Sequence, residues 1–379
     1  MNDESCIEYR PYGQSSSLTV KLRRLLPDRL GWEDLGLGKR CLCVFDRKAE
    51  WFALDVQSKL IAEGVEVSSV ALEVGLKDLN SAIKIWTAMI ETQPAFSVAI
   101  GGGTTCDLTG FASSCYRRGI PVVLIPTTLL AMADVCISGK TGVDFGNIKN
   151  SLGTIHFPRL SLCVLDALRT LEEAHFRSGL AEIVKVAVTS DVSLFHQLES
   201  VTTELGPSYP DLLKLIEASC RLKAIIVEGT PMVRLHSMYG HIVGQAIESF
   251  DCGKYRHGDC VSIGMNAEGY MAVKLGLWDR ECWMRQLRLL VALGLPITVP
   301  EGIISVALIQ QMSRDKLATP EHFNMILPSA IGVIRTLEKD SRTPVPHRLA
   351  RDFLDEFVSL TRDDLAKLSE VGCVDAANQ

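Results

Sequence analysis

Residues 96–111, "FSVAIGGGTTCDLTGF", constrain the fold more than any other stretch. A short, largely apolar run leads straight into three glycines and then into a polar, helix-like segment. Such a run reads as a buried strand, and glycines placed there make the step from strand to helix a tight one. Comparable runs stand at 41–45 ("CLCVF"), 122–125 ("VVLI") and 161–165 ("SLCVL"), with helix-like segments at 49–63 and 79–92 between them. Buried strands alternating with helices predict a parallel sheet covered on both faces. The glycines have two readings. They let backbone N–H groups approach a pyrophosphate at a helix N-terminus, or they only make the turn. The common dinucleotide spacing needs a third glycine where this chain has Cys106, so that fingerprint is incomplete.

With 379 residues, the chain exceeds the ~250–300 at which one core tends to divide. Its character changes near residue 173. "FRSGLAEIVKVAVTSDVSLFHQLES", "YPDLLKLIEASCRLKAIIVEG", "GHIVGQAIESF" and "CVSIGMNAEGYMAVKLGL" all carry apolar residues at helical spacing. The expected architecture is a Rossmann-like α/β domain over 1–173 and a mostly helical domain over 174–379. The tail after about residue 350 reads as one or two amphipathic surface helices.

A net charge of -6 argues against a nucleic-acid partner, since such domains are usually basic. Any anionic ligand must then be met by a local cluster of Lys and Arg. The 12 cysteines include no CxxC pair, which predicts reduced thiols in a cytoplasmic protein. The polar start, "MNDESCIEYRPYGQSSS", is unlike a secretory signal. The longest apolar stretch, "VVLIPTTLLAMA", is broken by Pro126 and too short for a bilayer. No membrane partner is expected.

In "HSMYGHIVGQAIESFDCGKYRHGD", His241 and Gln245 share a helix face, and His257 opens the next helix-like segment. Two structural histidines would explain this, and so would two ligands of a divalent metal. The second reading needs a third ligand. Glu182 in "SGLAEIVK" is the carboxylate candidate; the alternative is a solvated helix charge. Cations stand at Arg118, Lys140, Lys149 (beside Asn150), Lys185, Lys223 and Arg234, several next to glycine or within apolar runs. A phosphorylated substrate would use two or three of them, although each singly also reads as surface charge.

Taken in order, "GGGTTCDLTGF", "YRRG", "PTTLLA" with Asp134, "GKTGVDFGNIKNSLGT", "SGLAEIVK", "YGH" and "RHGD" resemble the sugar-phosphate cyclases of the dehydroquinate synthase superfamily. The likeness runs from about residue 40 to 335 and keeps the spacings. Sixteen residues separate Asp134 from Asn150, thirty-two separate Asn150 from Glu182, and sixteen separate the two histidines. The resemblance implies a dehydroquinate synthase-like fold, NAD and one zinc or cobalt ion, a phosphorylated sugar substrate, and a homodimer. It implies Glu182, His241 and His257 as metal ligands. NAD would be met by Asp46, Lys77, Gly102, Gly103, Asp107, Thr127, Thr128, Asp134, Lys140 and Lys149. The substrate would be met by Asp134, Lys140, Asn150, Lys185, Lys223, Arg234 and Gln245, with Arg118 reaching across from the dimer partner. The implied reaction oxidises a ring hydroxyl, eliminates phosphate, restores the hydride, opens the ring and closes a carbocycle by an aldol step, regenerating NAD.

Several positions depart from dehydroquinate synthase. Gln245 replaces the second histidine of its "GHxxGH" segment, and Met238 replaces an asparagine. Thr230 falls where an acid is expected, and Leu317 follows Lys316 where a second lysine is expected. Gln245 keeps a hydrogen-bond donor but cannot shuttle a proton, and Met238 offers no comparable bond. These changes cluster where substrate head groups are read. They favour altered substrate choice, and "KTGVDFGNIKNSLGT" together with "YRRG" looks most like the branch that cyclises sedoheptulose 7-phosphate, the 2-epi-5-epi-valiolone synthase kind. The other readings are a 3-dehydroquinate synthase, a 2-deoxy-scyllo-inosose synthase acting on glucose 6-phosphate, and a paralogue that binds NAD and metal without turnover.

Overall fold

The structure is a computed structural model that describes residues 4–73, 75, 77–146, 148–201, 205–250, 255–360 and 363–365. The first elements are β1 (Glu4–Tyr9), β2 (Leu18–Arg23), β3 (Arg40–Asp46), α1 (Glu50–Ala62), β4 (Glu66–Leu72), α2 (Leu79–Thr92), β5 (Phe96–Gly101) and α3 (Gly103–Cys115). There follow β6 (Val122–Pro126), α4 (Cys136–Ser138), β7 (Lys140–Phe145), β8 (Ile148–Ile155), β9 (Leu160–Val164), α5 (Glu173–Ser190), α6 (Val192–Ser200) and α7 (Leu212–Glu228). The remainder is α8 (Pro231–Arg234), α9 (His241–Glu248), α10 (His257–Lys274), α11 (Arg280–Ala292), α12 (Ser305–Met312), β10 (His322–Met325), β11 (Pro328–Ala330), β12 (Val333–Ile334), β13 (Thr343–Pro346) and α13 (His347–Ser359).

The chain forms two compact units, Met1–Gly179 with Gly206–Glu228, and Leu180–Leu205 with Gly229–Gln379. The division therefore falls within α5, a few residues beyond the 173/174 boundary expected from the sequence, and α7 returns to the first unit. The cause is the apolar face of α7. Leu212, Leu215, Ile216 and Cys220 are fully buried in a helix that packs on β1, β2 and the 131–138 segment. Tyr12 N donates to Val227 O at 3.1 Å, and the Cys220 thiol meets Met132 O at 3.2 Å.

The first unit is built on a seven-stranded sheet of order β1-β2-β9-β6-β5-β3-β4. All neighbouring pairs are parallel except β1 with β2. Every residue of β5, β6 and β9 is buried, which is why these strands are near-continuous apolar runs. Leu42, Val44 and Leu72 from the sheet pack with Ala82, Ile85 and Met89 of α2 and with Leu108, Phe111 and Ala112 of α3. The N-terminus of α2 is fixed by Asp78, whose side chain accepts from Ser81 N at 2.8 Å. β7 and β8 form an antiparallel hairpin of their own.

The second unit is mostly helical, with two antiparallel strand pairs, β10–β13 and β11–β12. Its closest packing joins α9 to α10. A Cβ built on Gly264 would lie 1.9 Å from Gly240 O, and one on Gly244 would lie 2.8 Å from Cys260 O. Only glycine permits that approach. Among the described residues no helix is long and apolar enough to cross a membrane.

Candidate functional site

In the second unit, α5 presents Glu182 between buried Ala181 and Ile183, and the acid itself is 1% exposed. One turn on, Lys185 is equally buried and ion-paired to it. His241 is the first residue of α9, and His257 is the first of α10. The Nδ1 atom of His241 lies 3.2 Å from Tyr239 O, and that of His257 lies 3.0 Å from Glu248 Oε2. Each of these oxygens accepts a hydrogen bond, so the Nδ1 nitrogens carry protons and Nε2 is the atom left for a ligand role. The Nε2 atoms stand 3.9 Å and 3.7 Å from Glu182 Oε1. One ligand atom from each of the three residues falls within 4.8 Å of the others. Two imidazoles and a carboxylate, each ring oriented by an acceptor behind it, suit zinc or cobalt with a coordination position left open. A solvated helix charge, one alternative left open by the sequence, does not describe a Glu182 that is buried.

Burial, then the Lys185 ammonium, hold His241 well below its ordinary pKa, so this ring stays neutral. Burial also disfavours a charge on His257, but Glu248 and Glu182 outweigh it and raise that pKa to about 10.

The first unit gathers a different set. The carboxyl ends of β3 and β5 carry Asp46 and Gly101, and the strand order reverses between these two strands. That is where open α/β sheets bind ligands. Gly102 is the N-cap of α3, and no side chain caps that helix. A Cβ on Gly102 would stand 3.1 Å from Thr128 Cγ2, and one on Gly101 would stand 2.7 Å from Thr105. Thr127 N donates to Gly101 O at 2.9 Å, holding the end of β6 against the glycines. This bare backbone cradle at a helix N-terminus fits a pyrophosphate.

Lys77 donates to both Asp107 and Asn150. Burial raises the Asp107 pKa, and the Lys77 charge opposes the rise; Asp134 and Lys140 are also within its electrostatic reach. Asn150 follows Lys149 on β8 and adopts φ 52. Its N–H donates to Asp144 Oδ1 at 2.8 Å. Lys223 on α7, though buried, pairs with Asp134. Arg118 is exposed at a turn where Arg117 and Arg118 both have positive φ.

Of the other residues singled out in the sequence, Arg234 is half-buried at the end of α8, and Gln245 is exposed on α9. Met238 is 4% exposed and belongs to the core of its unit, while Thr230 is exposed. Sequence reasoning missed Glu248 and Asp144. An acid on the apolar face of "HIVGQAIE" was the available signal for Glu248; none marked Asp144.

A family model described as 3-dehydroquinate synthase N-terminal matches residues 69–178, and one described as 3-dehydroquinate synthase C-terminal matches 179–318. The 3-dehydroquinate synthase of Nostoc punctiforme is 38% identical over 344 residues, 86% of this chain and 93% of its own. That of Thermosynechococcus vestitus is 37% identical over 85% of this chain and 92% of its own. A solved 2-epi-5-epi-valiolone synthase from Streptomyces hygroscopicus, with NAD+ and Zn2+ bound, is 27% identical with a TM-score of 0.80, covering 91% of this chain and 97% of that one. A 2-deoxy-scyllo-inosose synthase with a TM-score of 0.80 and 19% identity, covering 93% of this chain and 100% of its own, shares the fold. Family models that together span residues 69–318, and relatives this similar over most of the chain, make it an enzyme of the 3-dehydroquinate synthase family of sugar-phosphate cyclases.

Proposed function

We propose that the chain is an NAD- and divalent-metal-dependent cyclase that acts as a 3-dehydroquinate synthase on a seven-carbon phosphorylated keto acid. The convergence of Glu182, His241 and His257 carries the chemistry. Relatives named 3-dehydroquinate synthase at 37–38% identity favour the substrate. NAD, when bound, would supply reversible hydride acceptance, and a metal held by Glu182, His241 and His257 would supply Lewis acidity. The protein's part is placed charge. Asn150 has its amide oxygen engaged by Lys77, which turns its NH2 group out as a donor. Within the first unit Asp134 holds the Lys223 ammonium, and within the second Glu182 holds that of Lys185; each ammonium is a group suited to a phosphate or hydroxyl. Elimination, ring opening and aldol closure then need orientation and electrostatics rather than a covalent partner. A homodimer, with the exposed Arg118 serving the partner's site, is part of this proposal.

A second reading is a sedoheptulose 7-phosphate cyclase. Met238 is buried and apolar where a carboxylate-reading residue would sit, and the 2-epi-5-epi-valiolone synthase shares 27% of its sequence with this chain. Phosphate release decides between them. Purified protein with NAD and Co2+ should release phosphate from the keto acid. Release from sedoheptulose 7-phosphate alone would replace the first reading with the second. No release from either or from glucose 6-phosphate, in a protein that still binds NAD, would end both.

Two further outcomes follow from the geometry. Gly102→Val should weaken NAD binding by at least about tenfold, because the branched side chain fills the cradle at the helix N-terminus. Co2+ binding should be unaffected, and titration calorimetry reads both. The metal's affinity should also depend on pH. In the metal-free protein Glu248 and Glu182 favour the proton on His257 while burial keeps His241 neutral, so a bound cation must expel one proton. The association constant for Co2+ should then rise about tenfold per pH unit between roughly pH 6 and 8. Calorimetry in two buffers of different ionisation enthalpy counts the proton, and a count of zero removes His257 from the ligand set. Glu248→Gln should lower both the proton count and the affinity, the latter by about 10–100-fold.

A further inference from the structure

Helix α9 starts with a metal-ligand candidate and lacks a cap of the ordinary kind. His241 is its first residue, and the N-cap is Gly240 in a left-handed conformation (φ 76), with no side chain to accept from the first turn. Unmet N–H groups in a buried helix end are costly. They are met from another helix. Glu268, in the middle of α10 and 0% exposed, accepts from Gly240 N at 2.7 Å through Oε2 and from Val243 N at 3.1 Å through Oε1. Burial raises the pKa of this carboxyl to about 8, and the N–H donors oppose the rise. Both of its oxygens are thus turned to the backbone around His241.

α10 is also the helix that begins with His257. One rigid element therefore carries one imidazole and grips the backbone on either side of the other. The contact is short-range and directional. The close approach at Gly240, Gly244 and Gly264 leaves no slack for the two helices to slide.

We propose that Glu268 is a positioning residue for the metal centre: by capping the first turn of α9 from α10, it fixes His241 Nε2 at the point it shares with His257 and Glu182. The inference rests on the metal-binding reading above and deepens it.

The test is Co2+ affinity of the full-length protein, by competition with a chromophoric chelator, together with the visible d–d spectrum. Glu268→Gln retains one acceptor oxygen but turns an NH2 group toward backbone donors. It should weaken Co2+ binding about 10–100-fold and alter the d–d bands, with the metal-free far-UV circular dichroism unchanged. Glu268→Asp keeps the carboxyl but falls short in reach, and should lie between wild type and Glu268→Gln. Wild-type affinity and spectrum in both variants, whatever their melting temperatures, would overturn the proposal and leave Glu268 a structural residue. Failure of both variants to fold would overturn it as well, since the role would then be to the fold as a whole. Glu182→Gln is measured alongside. If it too keeps wild-type affinity, the metal-binding reading has failed. If it loses the metal while the Glu268 variants do not, only the positioning role has failed.

Discussion

Glu182→Gln should yield a protein that purifies without stoichiometric zinc or cobalt and turns over at least about 10²–10³-fold more slowly, the scale on which a single group stabilising transition-state charge is lost. The variant should also be less stable, which a ligand role alone does not predict. Glu182 is the partner of Lys185, and both side chains are within 2% of full burial. Breaking a buried pair by removing one member costs about 3–5 kcal/mol; because Lys185 has further interactions, the lower end is expected. The double variant Glu182→Gln/Lys185→Met separates the two effects. It removes the ammonium that has lost its Glu182 partner, so urea denaturation should show most of the stability restored while metal analysis still shows none bound. A Glu182→Gln protein that keeps one metal per chain would remove this residue from the site.

Gly264→Ala should be the most damaging single methyl group in the second unit. Its Cβ would stand 1.9 Å from Gly240 O and 2.8 Å from Gly244 N, both of them backbone atoms. Neither can swing aside as a side chain would. The loss should be about 3 kcal/mol, the upper range for overpacking, with weaker Co2+ binding because the displaced backbone leads into His241. Gly206→Ala is the control: nothing lies within 4 Å of its added Cβ, so its unfolding free energy should stay within about 0.5 kcal/mol of wild type. If the two variants unfolded alike, the tight approach of α9 to α10 would be wrong.

What the sequence disclosed follows from how each signal arises. β3, β5, β6 and β9 are legible because strands buried on both faces are apolar throughout. β1 is hidden because "ESCIEY" alternates and faces solvent on one side, and the β7–β8 hairpin because "KTGVDF" holds no apolar run. Helical spacing shows that α7 has a buried face, but periodicity cannot say which surface covers it. That is why the sequence predicts a single boundary where the chain in fact returns. In the site, the glycine triplet and the spacing of Glu182, His241 and His257 were readable through the family resemblance. Glu248 was not, because in "GQAIES" an acid on a helix looks like ordinary solvation until the ring of His257 is placed beside it. Asp144 gains its meaning only when the N–H of the positive-φ Asn150 is brought against its carboxylate.

The outer strand β1 has a consequence for handling the protein. Its solvent-facing positions include Glu4 and Glu8, while Ile7 and Tyr9 point inward. Glu8, with the Glu4–Arg23 ion pair, places charged groups along this edge strand, which discourages a second molecule from extending the sheet. Trimming the chain to begin after Tyr9 would leave β2, with its fully buried Val20 and Leu22, as the new border. Material shortened in that way should self-associate through strand addition and precipitate at lower concentration than the untrimmed chain.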